Sequence, residues 1–427
     1  MVDRITPNIW TDYPKIPLPQ VLSFIVDNRG KTVPTTETGH KLIATNCIRN
    51  ENLYPSYEKI RFLSDDTYRN WFRAHPVPGD IIFVCKGTPG RVCMVPDPID
   101  FCIAQDMVAL RANEDIVYNR YLLVVLRSAE IQKQIYNYSV GDVIPHFKKS
   151  FFDRLEIPIP PMKIQRAIGD SYFSFSLKIE LNTQINHNLE EQAKAIFKSW
   201  FVDFEPFKNE NLVDSAFGMV PSCFKVCKNG DLPIFVTDYV ANGSFATLKA
   251  NVTLYQESNY AYFIRNTDLK SGTFEVFVDK HSYNFLSKTK LFGGEVIISN
   301  VGDVGSVFLC PALEKPMTLG NNIIMLKSEN IALQNYLYIW FKWFYGQNLI
   351  QGIKSGSAQP KFNKTDFKAL SVLLPPSEKL HDFYEVIGPM FQEMEARNKE
   401  SKRLAQLRDT LLPKLMSGEI DVSEVEV

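Results

Sequence analysis

The sequence predicts an α+β protein in which two similar mixed α/β domains are separated by two long antiparallel helices, a coiled-coil-like spacer. Three observations predict this fold. The second half of the chain repeats the first, each copy mixes strand-like and helix-like segments, and a long segment with helical periodicity follows each copy. Two copies of one module in one chain predict a pseudo-two-fold internal repeat.

The repeat has a constant offset of 215 positions, as from Gly79 to Gly294. In a first block the paired residues are Gly79, Ile82, Gly87, Gly90, Val92 and Pro96 with Gly294, Ile297, Gly302, Gly305, Val307 and Pro311. In a second block they are Pro145, Phe147, Lys149, Phe152, Leu155, Pro160 and Pro161 with Pro360, Phe362, Lys364, Phe367, Leu370, Pro375 and Pro376. The shared offset predicts one register without a gap, and its length excludes a solenoid of short repeats.

Within each copy, two apolar runs joined by a turn with two glycines predict a β-hairpin, because glycine allows the positive φ that such turns need. A helix and then a short strand ending in Pro-Pro are expected to follow. In chain order these segments are the hairpins 79–95 and 294–309, the helices Asn119–Ser128 and Leu333–Phe344, and the strands Leu155–Pro161 and Leu370–Pro376.

The long helices are predicted from the segments that follow the two Pro-Pro pairs. Residues 162–204 contain no proline, and their apolar residues recur at spacings of four and seven; from Ser377 onward the spacings alternate between four and three. Pro161 and Pro376 suit a first helical turn. The first helix should end before Pro206, and the second should stop or kink near Pro413.

Each helix would be about 36–42 residues, or roughly 55–60 Å, long. The alternative is a pair of independent core helices, one inside each domain, but so long a helix rarely fits a compact domain. The expected division of the chain is a first domain over 1–158, a central spacer helix over 159–207, a second domain over 208–373, and a C-terminal spacer helix and tail over 374–427.

The amino-acid composition limits the class of protein. The chain has 427 residues, 45% of them hydrophobic and 22% charged, so two or three globular domains are expected. A net charge of -1 provides no global attraction for nucleic acid, although a local patch or a partner can supply positive charge. No signal-like or membrane-spanning run is apparent, which predicts a cytoplasmic protein. Seven cysteines without metal-ligand spacing are expected to be reduced thiols and not zinc ligands.

Catalytic motifs are not found in the sequence. It has no GxGxxG that opens a helix, no GxxxxGK[ST] phosphate loop and no Asn/Asp-Pro-Pro-aromatic motif of the adenine methyltransferases. The six histidines are scattered without ligand spacing. We therefore expect no cofactor, no metal and no catalytic residue, and the chain is predicted not to be an enzyme.

Polar and basic residues instead cluster in turns at matching points of the two copies. Such side chains read base edges and hold phosphates, so they are candidates for DNA binding. The candidates are Arg29, Lys31, Lys86, Thr88, Arg91, His146, Lys148 and Lys149 in the first copy, and Asn242, Ser244, Arg265, Asn300, Ser355, Ser357, Gln359, Lys361 and Lys364 in the second. The competing interpretation is that Gly, Ser, Asn and Lys occupy surface turns in any protein.

Four segments resemble a known family. Residues 189–204 (LEEQAKAIFKSWFVDF) and 407–420 (LRDTLLPKLMSGEI) are similar to the two helix ends of the specificity subunits of type I restriction-modification systems, and 238–247 (DYVANGSFAT) and 356–360 (GSAQP) resemble parts of their target-recognition domains. The resemblance covers nearly the whole chain.

The resemblance implies two target-recognition domains, each reading one half-site of an asymmetric, bipartite double-stranded DNA target. It implies adenine methylation by two partner modification subunits and cleavage by a restriction subunit, with no catalysis in this chain. Because the hairpin turns differ between the copies, Lys86–Arg91 against Val301–Ser306, the two half-sites should differ. Two rival hypotheses remain: a protein-binding scaffold, and a DNA methyltransferase in its own right.

A partner-binding surface is predicted at the helix ends. Repeat equivalence places one aromatic cluster next to one leucine cluster, and one two-helix seam cannot bury both. The predicted surface consists of Trp200, Phe201, Phe204, Leu411, Leu412 and Leu415. The alternative is that these side chains pack against the adjoining recognition domains.

Overall fold

The computed structural model describes residues 7–28, 31–103, 105–141, 144–356 and 358–420, except the side chain of Phe344. The chain divides into two compact units. The first unit combines residues 1–185 with 397–427, and the second consists of residues 186–396. Each unit therefore contains part of each long helix.

The first unit is built on a four-stranded antiparallel sheet in the order β2-β8-β5-β6, beside a three-stranded sheet β4-β3-β7 and the pair β1-β9. Its strands are β1 (Lys15–Pro17), β2 (Leu22–Val26), β3 (His40–Ile43), β4 (Arg61–Leu63), β5 (Ile81–Val84), β6 (Val92–Met94), β7 (Phe101–Ile103), β8 (Met107–Ala112) and β9 (Glu156–Pro158). Its helices are α1 (Asp65–Asn70), α2 (Asn119–Arg127) and α3 (Ala129–Tyr138), together with residues 162–185 of α4 (Met162–Phe201) and residues 397–417 of α11 (Ser377–Ser417).

The second unit repeats this plan with the sheet β13-β21-β18-β19, the five-stranded sheet β14-β16-β15-β20-β17, and the pairs β12-β22 and β10-β11. Its strands are β10 (Leu212–Ser215), β11 (Gly218–Pro221), β12 (Lys225–Lys228), β13 (Ile234–Asp238), β14 (Leu254–Tyr255), β15 (Ala261–Ile264), β16 (Phe277–Val278), β17 (Lys290–Leu291), β18 (Val296–Ser299), β19 (Val307–Leu309), β20 (Met317–Leu319), β21 (Ile323–Ser328) and β22 (Ser371–Leu374). Its helices are α5 (Phe245–Asn251), α6 (Asn266–Ser271), α7 (Lys280–Phe285), α8 (Ile331–Lys342), α9 (Phe344–Gly352) and α10 (Lys364–Lys368), together with residues 186–201 of α4 and residues 377–396 of α11.

The predicted hairpins, helices and short strands are confirmed in both copies. β5 pairs with β6 and β18 with β19, both antiparallel. The helix and the strand that follow are tied in the same way in each unit: Tyr121 donates a hydrogen bond from its hydroxyl to the carbonyl of Pro158 (2.9 Å), and Tyr336 donates one to the carbonyl of Leu373. The repeat therefore extends from sequence to individual buried contacts.

The expectation of a gap-free register is wrong in one place. Ile82 pairs with Ala109 in the first unit, whereas its counterpart Ile297 pairs with Met325 in the second. The strand β21 thus lies 216 positions after β8, not 215. One extra residue precedes β20, which also lies 216 positions after its counterpart β7. The original offset has returned within the next helix, where Tyr121 corresponds to Tyr336. Connecting segments tolerate such a change because they carry few buried contacts.

The two long helices pack antiparallel within each unit. In the first unit Asn182 donates its amide to Glu400 (2.8 Å) and Ser176 contacts Arg408 (3.4 Å). In the second unit the ring of Phe201 lies 4.9 Å from that of Phe383. The same unit has an amide hydrogen bond of 3.3 Å from Asn186 to the carbonyl of Met394. Residues later in α4 therefore contact residues earlier in α11, which is the pairing of antiparallel helices.

The helix bounds agree with the expectation, and Gly418 at positive φ directly follows the end of α11. α4 ends at Phe201, before Pro206, and Pro161 and Pro376 immediately precede the two helices instead of lying within the first turn. α11 does not stop at Pro413 but continues to Ser417. Leu412, Leu415 and Met416 pack into the first core on both sides of this proline, and their burial compensates for the backbone hydrogen bond that proline cannot donate.

All seven cysteines lie in the described residues, and all carry free thiols. Burial raises the pKa of Cys85 and of Cys102 to about 12, so both are protonated near neutral pH. None of the helices in the described parts of the chain is both long and apolar enough to span a membrane.

Candidate nucleic-acid interface

Two loops meet beside the four-stranded sheet β2-β8-β5-β6 in the first unit. The hairpin turn 85–91 and the loop 140–148, of which 142–143 are not described, are joined by backbone hydrogen bonds. Gly87 donates to the carbonyl of Pro145 (2.9 Å), and Phe147 donates to the carbonyl of Cys85 (2.8 Å). We call this arrangement the first loop pair.

The same loop pair occurs in the second unit, between residues 300–306 and 355–362. Gly302 donates to the carbonyl of Pro360 (2.8 Å), and Phe362 donates to the carbonyl of Asn300 (3.0 Å). These bonds are the counterparts of those in the first unit. We call this arrangement the second loop pair, and Ser357 within it is not described.

A glutamine holds the hairpin turn of each loop pair in place. The amide of Gln132 donates to the carbonyls of Gly90 (2.8 Å) and Leu126 (2.7 Å). The amide of Gln347 donates to those of Gly305 (2.9 Å) and Phe341 (2.7 Å). Both glycines have positive φ, and an added Cβ would lie 3.0 Å from the glutamine oxygen, so this contact also requires glycine. The sequence reasoning missed both glutamines, although their spacing equals the repeat offset.

The first loop pair brings five of the eight first-copy candidates together. Lys86, Thr88 and Lys148 are exposed, and Arg91 and His146 are half-buried. The backbone of Lys86 pairs with that of His146. These residues give the loop pair a positive edge that can contact phosphates.

The other three candidates of the first copy differ from this group. Lys149 makes an ion pair with Asp27, which fixes the loop and occupies the amine. Lys31 is exposed but does not belong to the loop pair. Arg29 lies outside the described residues.

The second loop pair contains four described candidates. Gln359 and Lys361 are exposed, so their side chains can contact a ligand. Ser355 donates its hydroxyl to the carbonyl of Lys361 (3.1 Å), and the amide of Asn300 donates to the carbonyl of Phe362 (3.3 Å). The side chains of Ser355 and Asn300 thus also stabilise the loop.

Four other candidates of the second copy make contacts inside the protein. Their polar groups are engaged within the protein in this structure, and their contact with DNA stays a prediction. Lys364 pairs with Asp238 (2.9 Å), Arg265 pairs with the buried Asp268 (2.6 Å), and the hydroxyl of Ser244 accepts from the backbone amide of Thr247 (3.2 Å).

Asn242 is the fourth of these residues. Its amide donates to the hydroxyl of Thr289 (2.9 Å), and its oxygen accepts from the backbone of Lys288 (3.0 Å). The buried Asn28 has the corresponding role in the first unit, where its oxygen accepts from the backbone of Arg73 (2.9 Å). Both asparagines hold a connection in place, which accounts for their presence in turns.

The two loop pairs differ in charge. At the position of Thr88 the second loop pair has Asp303, which makes an ion pair with Lys270 (2.6 Å) and accepts from Ser306 (2.5 Å). Burial raises the pKa of Asp303, but these partners lower it more, so its pKa lies below the usual value and the group is ionised. The second loop pair is therefore less positive than the first.

The residues of the predicted partner surface lie in two places. Trp200, Phe201 and Phe204 belong to the second unit, and Leu411, Leu412 and Leu415 to the first. The expected adjacency of the two clusters is therefore seen within neither unit. This is because the antiparallel pairing places Phe201 opposite Phe383 and not opposite the other helix's end.

Phe201 is only 1% exposed and packs inside the second core, while Trp200 and Phe204 are half-buried against that core. Leu412 and Leu415 pack partly against the first core, and Leu411 lies beside Tyr172 and Arg408. Phe201 therefore packs within its own unit, as the alternative interpretation expected. The other five residues are half-buried and retain some exposed apolar surface.

No group of three or more His, Cys, Asp or Glu side chains converges as a metal site in the part of the chain that the structure describes. The geometry instead defines a chain with two related modules, each presenting a pair of loops with equivalent backbone hydrogen bonds and different side chains.

Comparison with known proteins identifies the family. The model of the type I restriction modification DNA specificity domain matches residues 38–191 and 202–406, and the chain therefore belongs to this family, with two such domains. The resemblance noted in the sequence is confirmed.

Two relatives and one solved structure illustrate the similarity. The MjaIX specificity subunit of Methanocaldococcus jannaschii is 27% identical, with 73% of this chain and 71% of that protein covered. The HindI specificity subunit of Haemophilus influenzae is 24% identical, with 80% and 86% covered. The crystal structure of a type I restriction-modification S subunit from M. genitalium matches with a TM-score of 0.54 and 16% identity over 97% of both chains, which shows a shared fold.

Proposed function

We propose that this chain is the DNA-recognition subunit of a type I restriction-modification complex and reads an asymmetric, bipartite target with one half-site per unit. The observation that carries this proposal is the repeated loop pair. Its backbone hydrogen bonds are the same in both units, whereas its exposed side chains differ. One frame with two sets of side chains suits a protein that reads two different short sequences in one duplex.

The long helices are proposed to act as the spacer between the two readers. α4 has 40 residues and α11 has 41, so each is about 60 Å long at 1.5 Å per residue. Two half-sites on one face of a duplex must lie about 34 Å, or a multiple of it, apart. A packed helix pair fixes such a distance, which a flexible linker does not.

The proposal uses the domain division expected from the sequence. Two target-recognition domains over 1–158 and 208–373 are assigned to the half-sites, and the segments 159–207 and 374–427 to the spacer and tail. A pseudo-two-fold relation between the domains is part of the same proposal, and the equivalent hydrogen bonds at the two loop pairs support it.

The chain is proposed to act without catalysis, in the cytoplasm. In this view two modification subunits methylate adenine, a restriction subunit cleaves, and this chain positions them on the target. The half-buried residues Trp200, Phe204, Leu411, Leu412 and Leu415 remain candidates for binding the modification subunits, because each retains exposed apolar surface.

The proposal is tested by expressing the chain with its modification subunits and mapping methylated adenines by sequencing. A bipartite motif with two different half-sites is expected. A gel shift with the purified complex should show binding to that motif in preference to a scrambled duplex. A chain that supports no methylation and binds no specific duplex, but still captures protein partners, would instead be a scaffold.

A further inference from the structure

The hairpin turn of the second loop pair carries an acid where the first carries a hydroxyl. Asp303 lies between Gly302 and Gly305, at the position of Thr88 in the first unit. Both side chains are exposed, and every residue of the turn 300–306 belongs to the described part of the chain. An acid on a loop that meets DNA weakens binding, because the phosphates repel it, unless the acid binds a hydrogen-bond donor.

Three donors converge on one oxygen of this carboxylate. Oδ2 of Asp303 lies 2.6 Å from Nζ of Lys270. The same oxygen accepts a hydrogen bond from the hydroxyl of Ser306 (2.5 Å) and one from the amide of Asn266 (3.3 Å). Lys270 and Asn266 belong to α6, whereas Ser306 belongs to the hairpin. Two separate elements therefore fix the orientation of the carboxylate.

The other oxygen of the carboxylate is left for a ligand. Oδ1 of Asp303 accepts no hydrogen bond from the residues that the structure describes, and the side chain is 44% exposed. Burial raises the pKa of Asp303, but its donors lower it more, so the group is ionised and Oδ1 accepts hydrogen bonds without donating any. Because the side chain is already held, a donor that binds there costs little further side-chain entropy.

The donors also make the carboxylate compatible with a duplex. Lys270 carries the opposite charge, so the ion pair as a whole is neutral beside the phosphates. Ser306 stands where the first unit has Arg91. The two turns therefore differ in a concerted way: the first presents a threonine and an arginine, and the second presents a carboxylate together with the serine that holds it.

The base that suits such a carboxylate follows from the edges of the major groove. The donors on these edges are the N4 amino group of cytosine and the N6 amino group of adenine. Adenine presents the acceptor N7 beside N6, which suits an amide side chain that both donates and accepts, whereas an ionised carboxylate has no proton for N7. Cytosine presents its amino group without an adjacent acceptor, so it matches a group that only accepts.

We infer that Asp303 is a specificity-determining residue, whose Oδ1 accepts a hydrogen bond from a cytosine N4 amino group in the major groove of the half-site read by the second unit. This inference rests on the proposed function, and it names the chemical group that the second hairpin turn reads. Lys270, Ser306 and Asn266 act through Asp303 as positioning residues.

The test blocks that amino group alone. The full chain, assembled with its modification subunits, is titrated against its mapped target in which one cytosine at a time, on either strand, is replaced by N4-methylcytosine. This base still pairs with guanine through its remaining N4 hydrogen, while its methyl group replaces the hydrogen that faces the major groove. Exchange of residues 18–158 for those of a relative identifies the half-site of the second unit as the one that stays unchanged. Replacing one cytosine of that half-site should weaken binding about tenfold, the discrimination expected of a specific base contact.

The variant Asp303→Asn changes the group that faces the base. The three donors keep the amide oxygen at the position of Oδ2, so the amide nitrogen takes the position of Oδ1 and presents a donor. Binding of the mapped target should weaken about tenfold and should no longer respond to N4-methylcytosine. The preference at that position should shift from C·G towards T·A, because thymine has the acceptor O4 where cytosine has its amino group.

The matched control is Asp214→Asn. Asp214 is an exposed acid of the same unit that lies in β10, outside the loop pair. This variant should keep the full response to N4-methylcytosine and the wild-type preference for C·G. Thermal melts of both variants should match that of the wild type, because both side chains are exposed and each substitution conserves the shape of the side chain.

The inference is overturned if the half-site of the second unit contains no G·C pair, if no cytosine in it responds to the replacement, or if the response persists in Asp303→Asn. Uniform weakening across all duplexes in that variant, with the response retained, would mean that Asp303 only stabilises the hairpin. Unchanged DNA specificity with lost co-purification of the modification subunit would assign Asp303 to a protein contact and would also overturn the inference. Failure of the wild-type complex to bind its mapped target defeats the proposed function itself, and the inference with it.

Discussion

Replacing Phe201 by serine tests whether this residue stabilises the second unit or binds a partner. The ring is 1% exposed, and its centroid lies 4.9 Å from Phe383, 5.1 Å from Tyr336 and 5.2 Å from Phe197. Removing a buried phenylalanine ring costs about 3–5 kcal/mol. A serine hydroxyl left in this aromatic cluster adds roughly 1–3 kcal/mol. We therefore expect the free energy of unfolding of the second unit to fall by about 4 kcal/mol or more.

The assay is urea denaturation of the purified chain, followed by the hydrogen exchange of segments in each unit, since the two units need not unfold together. Protection should be lost in residues 186–396 at lower urea, and the first unit should change little. Phe245→Ser is the matched control, because Phe245 is 79% exposed, and it should shift stability by less than about 0.5 kcal/mol. Wild-type stability of Phe201→Ser together with lost co-purification of the modification subunit would refute the packing argument.

Four further predictions concern the spacer, the two readers, the thiols and one ion pair. Seven residues inserted at the middle of both α4 and α11 add about 10 Å; the methylated motif should gain about 3 bp between unchanged half-sites, and an unchanged gap in an active complex would rule out the spacer role. Exchange of residues 18–158 for those of a relative should alter one half-site in the methylation map; alteration of both would show that the units do not read independently. Cys85 and Cys102 should resist iodoacetamide at pH 8 in the native chain and react after denaturation, as counted by mass spectrometry, because burial raises the pKa of each to about 12. Burial raises the pKa of Glu190, but the ion pair with Lys342 lowers it more, so the pKa in the folded protein lies below that in the unfolded chain. The ionised carboxylate therefore stabilises the fold at pH values above the unfolded pKa, and this stabilisation is lost as the pH falls through the folded pKa. Thermal melts from pH 7 to pH 3 should therefore show a weaker loss of stability on acidification in Glu190→Gln than in the wild type.

The elements that could be predicted from the sequence are those that depend on local pattern. The hairpins follow from two apolar runs around a turn with glycines, and the long helices follow from the spacing of their apolar residues. Whether α11 stops at Pro413 or continues past it could not be predicted in this way. Whether Pro413 ends the helix depends on the burial of Met416 in a core formed by residues far away in the chain.

The candidate site was predicted in outline but not residue by residue. Glycines and basic residues at matching offsets indicated the loop pairs correctly. The pattern did not show that Lys364 is engaged by Asp238 or that Asn242 is engaged by Thr289, because these partners are 126 and 47 positions away. Turn residues that stabilise the fold and turn residues that face a ligand have the same composition, and only the tertiary contacts separate them.

The division of the long helices between the units has a consequence for the order in which the chain can fold. The second unit is complete once residue 396 has been synthesised, whereas the first unit needs residues 397–420. The backbone amide of Ile9, near the start of the chain, donates to the carbonyl of Met416 (3.0 Å), near its end. During translation part of the core of the N-terminal unit therefore remains uncovered until residues 397–420 have emerged. The first unit, although its residues are synthesised first, can therefore complete its fold only after the second unit.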